Sequence, residues 1–170
     1  MKKALGLGAM LLIILMQYSC FTMKYSTSGA SIPVEAKTVS VQFFENRAPL
    51  VEATLSQVFT DKLKDYIQSN SRLIMVNGVG DLDFDGEITG YDSRPTSISA
   101  GDVAAQDRFT IAVKVRYTNS FDSSKDWEMN FSRFQDYPNT ESFESAQSKY
   151  ISDILKLIID DIYNKAFVNW

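Results

Sequence analysis

The stretch "DLDFDGEITGYD", Asp81 to Asp92, fits two incompatible structures. Read as a twelve-residue calcium loop, it has Asp81, Asp83 and Asp85 at alternate positions, Gly86 at the sixth and Ile88 at the eighth. Asp92 closes it where an EF-hand loop carries a bidentate Glu. Read as a β-strand, Leu82, Phe84 and Ile88 form an inward face, and Asp81, Asp83, Asp85 and Glu87 point outward. The flanks decide between them. An EF-hand loop needs a helix on each side, and "IMVNGVG" before it and "SRPTS" after it are poor helix formers. The strand reading prevails, and tight calcium binding is not expected.

A row of four carboxylates repels itself unless a neighbour supplies positive charge. The next strand does so. "RFTIAVKVRYTN", Arg108 to Asn119, alternates Phe109, Ile111, Val113, Val115 and Tyr117 on one face with Arg108, Lys114 and Arg116 on the other. If the two strands are antiparallel neighbours, acid faces base across the ladder. Each opposed pair then contributes about 0.2–1 kcal/mol, at the low end if exposed.

The rest of the chain completes the layers. "KTVSVQFF", Lys37 to Phe44, is a strand with Val39, Val41 and Phe43 facing one way and Ser40 and Gln42 the other. From Leu50 to Ser69 the apolar period lengthens to three and four residues, through Val51, Leu55, Val58, Phe59, Leu63, Tyr66 and Ile67. That predicts a helix of about five turns opened by Pro49. "RLIMV" is a short strand and "NGVG" a turn. "WEMNFSRFQ" is a third long strand with Trp127, Met129 and Phe131 inward, and a parity shift at Arg133–Phe134 suggests a bulge or the strand's end. Pro138 stops it, and Thr140 or Ser142 caps a second helix. That helix carries the stripe Ala146, Tyr150, Ile151, Ile154, Leu155, Ile158, Ile162, Ala166 and Phe167. The expected fold is α+β: a two-layer sandwich with a mixed, mostly antiparallel sheet of four to five strands and two amphipathic helices on one face.

Composition narrows the chemistry. The chain has no histidine, which removes the commonest general base and transition-metal ligand. Its one cysteine excludes an internal disulfide and a Cys-rich metal site. There is no phosphate-binding glycine loop, and the pair Asp160–Asp161 reads as solvated helix surface. No catalytic residue, cofactor or metal site is expected. Lys2 and Lys3 precede the uncharged run "ALGLGAMLLIILM", and "QYSC" places Ser19 directly before Cys20. Residues 1–19 thus resemble a lipoprotein signal peptide, with Cys20 as the lipidated mature N-terminus. Gln17 departs from the usual Leu, and the alternative is an ordinary secretory signal cut nearby. Residues 20–36 read as a Ser/Thr-rich tether with a reach of about 20–25 Å, and 37–170 as one α+β domain. Removing 1–19 lowers lysine plus arginine from 17 to 15 against 21 acids, a net charge of −6. So acidic a domain is a poor non-specific nucleic-acid binder.

Two loops hold candidate contacts. Asn46, Arg47 and Pro49 in "FENRAPLV" read either as turn chemistry or as a partner contact. Arg94, in "DSRPTS", is a basic group at the end of a long strand and a candidate anion contact, or else a solvated loop arginine.

The lipoprotein-like start, "TVSVQFFENRAPLV", "GDLDFDGEITGYDSRP", "RFTIAVKVRYTN", "FSRFQDYP" and "NKAFVNW" together resemble the LptE family of lipopolysaccharide-assembly lipoproteins, most closely its Bacteroidota-type branch. The resemblance runs from about Thr38 to Trp170. It implies a two-helix, mixed-sheet domain held to the outer membrane by its N-terminal lipid and facing the periplasm or a barrel lumen. It further implies a non-enzymatic plug in the outer-membrane β-barrel LptD that helps the barrel assemble and helps deliver lipopolysaccharide to the outer leaflet. Lipopolysaccharide contacts would fall on basic residues of strand ends and loops, here Arg94, Arg108 and Lys125. The competing expectation is a lipoprotein that regulates a cell-envelope enzyme, for which so short a tether leaves little periplasmic reach.

Overall fold

The computed structural model describes residues 32–50, 52–96 and 105–168. The signal segment, Cys20 and residues 97–104 lie outside them. In chain order the elements are β1 (Thr38–Val41), β2 (Glu45–Asn46), α1 (Leu55–Asn70), β3 (Ile74–Met75), β4 (Leu82–Pro95), β5 (Gln106–Asn119), a 3-10 turn (Ser123–Lys125), β6 (Trp127–Pro138) and α2 (Phe143–Phe167). The strands form one six-stranded sheet in the order β3-β1-β4-β5-β6, with β2 also on β4. β1 runs parallel to β3 and β4, and β2 parallel to β4. The three long strands are antiparallel. The α+β class and the two helices are as expected. The strand count rises to six because β1 and β2 are separate segments along one side of β4.

"DLDFDGEITGYD" is strand. Leu82, Phe84 and Ile88 are fully buried, as are Phe109, Ile111, Val113 and Val115 across the ladder. Asp81 departs from the expected outward row. It lies before β4, and its carboxylate accepts the backbone N–H groups of Lys37 and Thr38, each at 2.9 Å. It thereby ties the start of β1 to the start of β4. The apolar period also breaks once. Thr89 is an extra residue between the pairs Ile88–Val113 and Gly90–Ala112. Tyr91, three positions after Ile88, therefore returns to the core.

A second irregularity overturns the expected facing of Phe43. Val41 pairs with Phe84 and Glu45 with Glu87, so Gln42, Phe43 and Phe44 lie opposite only Asp85 and Gly86. The extra residue reverses the parity. Phe43 is 54% exposed and Phe44 fully buried. Phe44 packs edge-on against Phe59 of α1, centroids 5.1 Å apart, and donates its N–H to Thr60 Oγ1 at 3.1 Å. Gly86 makes room for it. A Cβ at Gly86 would lie 2.7 Å from the Phe44 ring and 2.0 Å from the Lys114 carbonyl oxygen.

The helices cover the inward face. α1 begins at Leu55 rather than near Pro49, because the preceding segment is held as a loop. Asn46 Oδ1 accepts the Ala48 N–H, Asn46 Nδ2 donates to the Glu52 carbonyl, and the Glu52 carboxylate accepts the Thr54 hydroxyl. Its buried side is Leu55, Ser56, Phe59, Thr60, Leu63 and Ile67. Val58, expected in the stripe, is 37% exposed. Val51 lies outside the described residues. α2 is capped by Ser142, whose Oγ accepts the Ser145 N–H. It buries Ile154, Leu155, Ile158, Ile159, Ile162 and Phe167, each worth about 1.5–3 kcal/mol over exposure.

β6 corrects the other expectation of irregularity. Its pairing with β5 is continuous from Trp127 to Pro138, with no bulge at Arg133–Phe134. Parity only looks shifted because Arg133 occupies an inward position at the sheet edge. There its guanidinium forms a two-pronged pair with Asp161 of α2, at 2.7 and 2.8 Å. Met129 is on the inward side as expected, yet 41% exposed at this edge.

The fit at Gly86 yields a test. Gly86→Ala forces backbone apart between β4 and β5 and should cost at least about 2 kcal/mol, lowering the urea midpoint by about 1 M. At Gly78, φ is +98° but nothing lies within 4 Å, so Gly78→Asn should cost under about 1 kcal/mol. Equal losses at the two sites would refute the packing explanation.

Candidate functional site

The sheet face away from the helices consists of charged columns. Outward along β4 stand Asp83, Asp85, Glu87, Asp92 and Arg94. Along β5 stand Arg108, Thr110, Ala112, Lys114 and Arg116. Along β6 stand Glu128, Asn130, Ser132, Phe134 and Asp136. Acid, base and acid alternate across the three long strands. The predicted pairing to β4 holds only for Arg116, whose Nε lies 3.0 Å from Asp85 Oδ1. Lys114 turns to Glu128 on β6 at 2.6 Å. Arg108 turns to Asp136, also on β6, through Nε and Nη2 at 2.7 and 2.9 Å. Which neighbour a central-strand cation chooses depends on register, and β6 presents acids as well.

Hydrogen bonding by the partner cations depresses two of these acids. Arg108 holds the Asp136 carboxyl below its ordinary value, and Lys114 does the same to Glu128. Arg108 also lies over the Phe134 ring, with Cζ 3.7 Å from the centroid. Phe134 and Asp136 escaped the sequence reading. Their signal was their common parity with Glu128, opposite the β5 cations.

Arg94 and Arg108 are directly paired across the β4–β5 ladder. With Asp92, Pro95, Thr96 and Thr110 they line an open groove of about 480 Å³. Arg94 is the less committed of the two: one contact reaches Asp92 at 3.2 Å and its side chain is 77% exposed. Like charges placed opposite on a sheet disfavour one another, so an anion bridging both would relieve the repulsion. Lys125 does not join this groove. It lies in the β5–β6 turn, eleven or more residues along β5, at about 36 Å.

Asn46 is engaged in the loop bonds described above. Arg47 spans two side-by-side glutamates, Glu45 at 2.9 Å and Glu87 at 3.2 Å. Pro49 is exposed. The pair Asp160–Asp161 is split: Asp160 meets the Tyr66 hydroxyl of α1, helping push that phenol up to about 12, and Asp161 serves Arg133. Among the described residues no group of three or more His, Cys, Asp or Glu side chains is placed to hold a metal ion. No helix among them is long and apolar enough to cross a membrane.

A family model described as "LptE: Lipopolysaccharide-assembly" matches residues 36–166. No curated protein matches the chain. Among solved structures, the hypothetical protein CT253 from Chlamydia trachomatis is 9% identical, with 77% of this chain and 98% of that one covered and a TM-score of 0.51. A neuraminyllactose-binding hemagglutinin homolog from Helicobacter pylori is 9% identical, with 78% and 87% covered and a TM-score of 0.50. The uncharacterized lipoprotein B from Nitrosomonas europaea is 17% identical, with 75% and 80% covered and a TM-score of 0.47. At such identities the first two structures speak to the fold alone.

The depressed acids set the direction of the pH response. Asp136 and Glu128 have ordinary values of 3.8 and 4.5 and lie lower when folded. Their stabilisation is therefore complete above about pH 4.5 and disappears as acid titrates them through the folded values. Urea unfolding of Asp136→Asn with Glu128→Gln should show a shallower loss of stability between pH 4.5 and 2.5 than the parent. An unchanged slope would mean that these pairs carry no linkage.

Proposed function

The chain belongs to the LptE family of lipopolysaccharide-assembly proteins, and from that membership we propose that it is an outer-membrane lipoprotein seated inside the β-barrel LptD. There it assists the barrel's assembly and helps pass lipopolysaccharide to the outer leaflet. The observation that carries this reading is the extent of the family match, residues 36–166, which takes in all six strands and nearly all of α2.

The physical character of the domain supports it. A lumen plug has to be polar outside and rigid within. The bare sheet face is tiled with ion pairs, and the core beneath it is fully buried along β4 and β5. The groove at Arg94 and Arg108 is the proposed lipopolysaccharide contact. Two opposed guanidiniums suit a phosphate of the lipid A–core region, since Arg binds phosphate through a planar fork. Phe134, half exposed beside Arg108, offers an apolar plane to an adjoining sugar. Arg47 and Pro49 line the exposed β2–α1 loop and are proposed to meet the barrel. Cys20 is proposed to carry the acyl chains, which anchor firmly because several act together.

Two measurements test this. Gentle detergent extraction of the full-length protein should recover it with a large β-barrel partner, and recovery of free monomer alone would contradict the plug. In the cell, Arg94→Glu with Arg108→Gln should lower photo-crosslinking to lipopolysaccharide at least about fivefold with barrel co-purification retained. Lys125→Glu should leave that crosslinking unchanged. Loss of crosslinking only in the Lys125 variant would move the lipid contact to the other end of the sheet.

A further inference from the structure

The groove lies at one end of the sheet, and the chain enters at the other. β1 begins at Thr38 beside Ile74 of β3 and Leu82 of β4. Ser120 joins the same end by donating its N–H to the Asp81 carbonyl at 3.0 Å. The segment leading into β1 is docked there. Ile32 packs on the core, Ala36 is fully buried, and Arg72 Nη2 donates to the Pro33 carbonyl at 2.7 Å.

Three large apolar side chains at this end face solvent: Val34 at 80%, Ile74 at 65% and Phe121 at 50% exposure. Phe121 is not there through looseness of the turn. The buried Asn119 accepts the N–H groups of Phe121 and Asp122, and Asp122 caps the 3-10 turn that follows. The turn is thus constructed around an outward Phe.

Acids and bases are mixed at this end, Glu35, Asp81, Asp122 and Asp126 beside Lys37, Arg72 and Lys125. Three of its carboxylates are turned onto backbone N–H groups: Asp81 onto Lys37 and Thr38, Asp122 onto Ser124, and Asp126 onto Asn119. The cations Lys37, Arg72 and Lys125 lie in the same segments as the apolar residues, with Lys125 Nζ 3.9 Å from Asp122. Apolar side chains interspersed with Lys and Arg suit a lipid interface. Eleven residues lie between Cys20 and Ile32, a flexible reach of about 17–20 Å.

We propose that this end of the domain, projecting beyond the barrel wall, is a membrane-contacting surface: Val34, Ile74 and Phe121 enter the interface of the leaflet that holds the Cys20 acyl chains, with Lys37, Arg72 and Lys125 at its headgroups. The occupant is a lipid surface because the chain is led to it by its own anchor. The inference rests on the anchor reading above. It gives Lys125 a role separate from that of Arg94 and Arg108, and it orients the domain with its arginine groove away from the anchoring leaflet.

Acylation blocks the only native thiol, so a single introduced cysteine can carry a dye. The lipidated full-length protein is labelled at Ser123→Cys in the tether-end turn, or at Thr140→Cys at the far end. Each is reconstituted in vesicles of phosphatidylethanolamine and phosphatidylglycerol with brominated acyl chains. Dye at position 123 should be quenched at least about twofold and dye at 140 unquenched. Val34→Asp with Phe121→Asp should abolish the quenching at 123 while the protein stays on the vesicles. Vesicle-bound protein without quenching at 123 would overturn the proposal and leave the anchor intact. Protein that fails to bind vesicles and shows an unmodified Cys20 by mass would overturn the anchor reading, and the proposal with it.

Discussion

Everything in this fold is arranged around a side chain that is missing. At Gly86 the backbone of β4 comes so close to β5 that no Cβ fits beneath the Lys114 carbonyl. The vacated space takes the Phe44 ring, and Phe44 is the point at which three segments meet. It stands in the three-against-two irregularity that separates β1 from β2, its ring lies against Phe59, and its N–H is held by Thr60 of α1. With any larger residue at position 86, the β1–β2 edge loses its route across β4, and α1 loses the ring that keys it to the sheet. A glycine that looked like the pivot of an ion-binding loop is instead a packing device.

The outer face is held by a different and weaker kind of interaction. Each ion pair there is partly exposed, and such pairs individually contribute about 0–1 kcal/mol. Their collective value lies in what they exclude. A bare sheet face composed of β-branched and aromatic residues would invite stacking against another sheet. Columns of acid and base instead offer paired charges at several registers. A surface of that kind suits a body that sits against a polar wall without fusing to it, and it explains why the apolar exceptions, Phe43 and Phe134, are single and flanked by charge.

Much of this was legible in the chain. The alternation from Phe109 to Tyr117 specified β5 and its inward face, because one residue slipped would reverse every side chain. The long period from Ala146 to Phe167 specified α2. What escaped were the places where the chain departs from its own period. The extra residue at Gln42–Phe44 exists only by reference to Asp85 and Gly86, more than forty positions away. The bulge at Thr89 did leave a trace, since Ile88 and Tyr91 are three apart with Gly90 between them. The helix start was misplaced because Pro49 is a local signal, whereas Asn46 and Glu52 hold the loop through hydrogen bonds that no local pattern advertises. Of the candidate contacts, the sequence named Arg94 and Arg108 separately. Only the register made them neighbours, and the same register carried Lys125 to the opposite end.

That separation bears on how the domain works. The described surface is distinguished by where it places charge and apolar side chains. The long antiparallel strands fix a distance of about 36 Å between two unlike ends. One end carries opposed arginines and an aromatic plane, suited to a phosphorylated glycan. The other carries apolar side chains, cations and the tether. Because β5 runs unbroken between them, buried along its whole inward side, neither end can shift without the other. In the proposed role, a lipid passed from one environment toward another is better served by such a fixed strut than by a flexible carrier. On that proposal, rigidity along β4 and β5 is what the Gly86 contact protects.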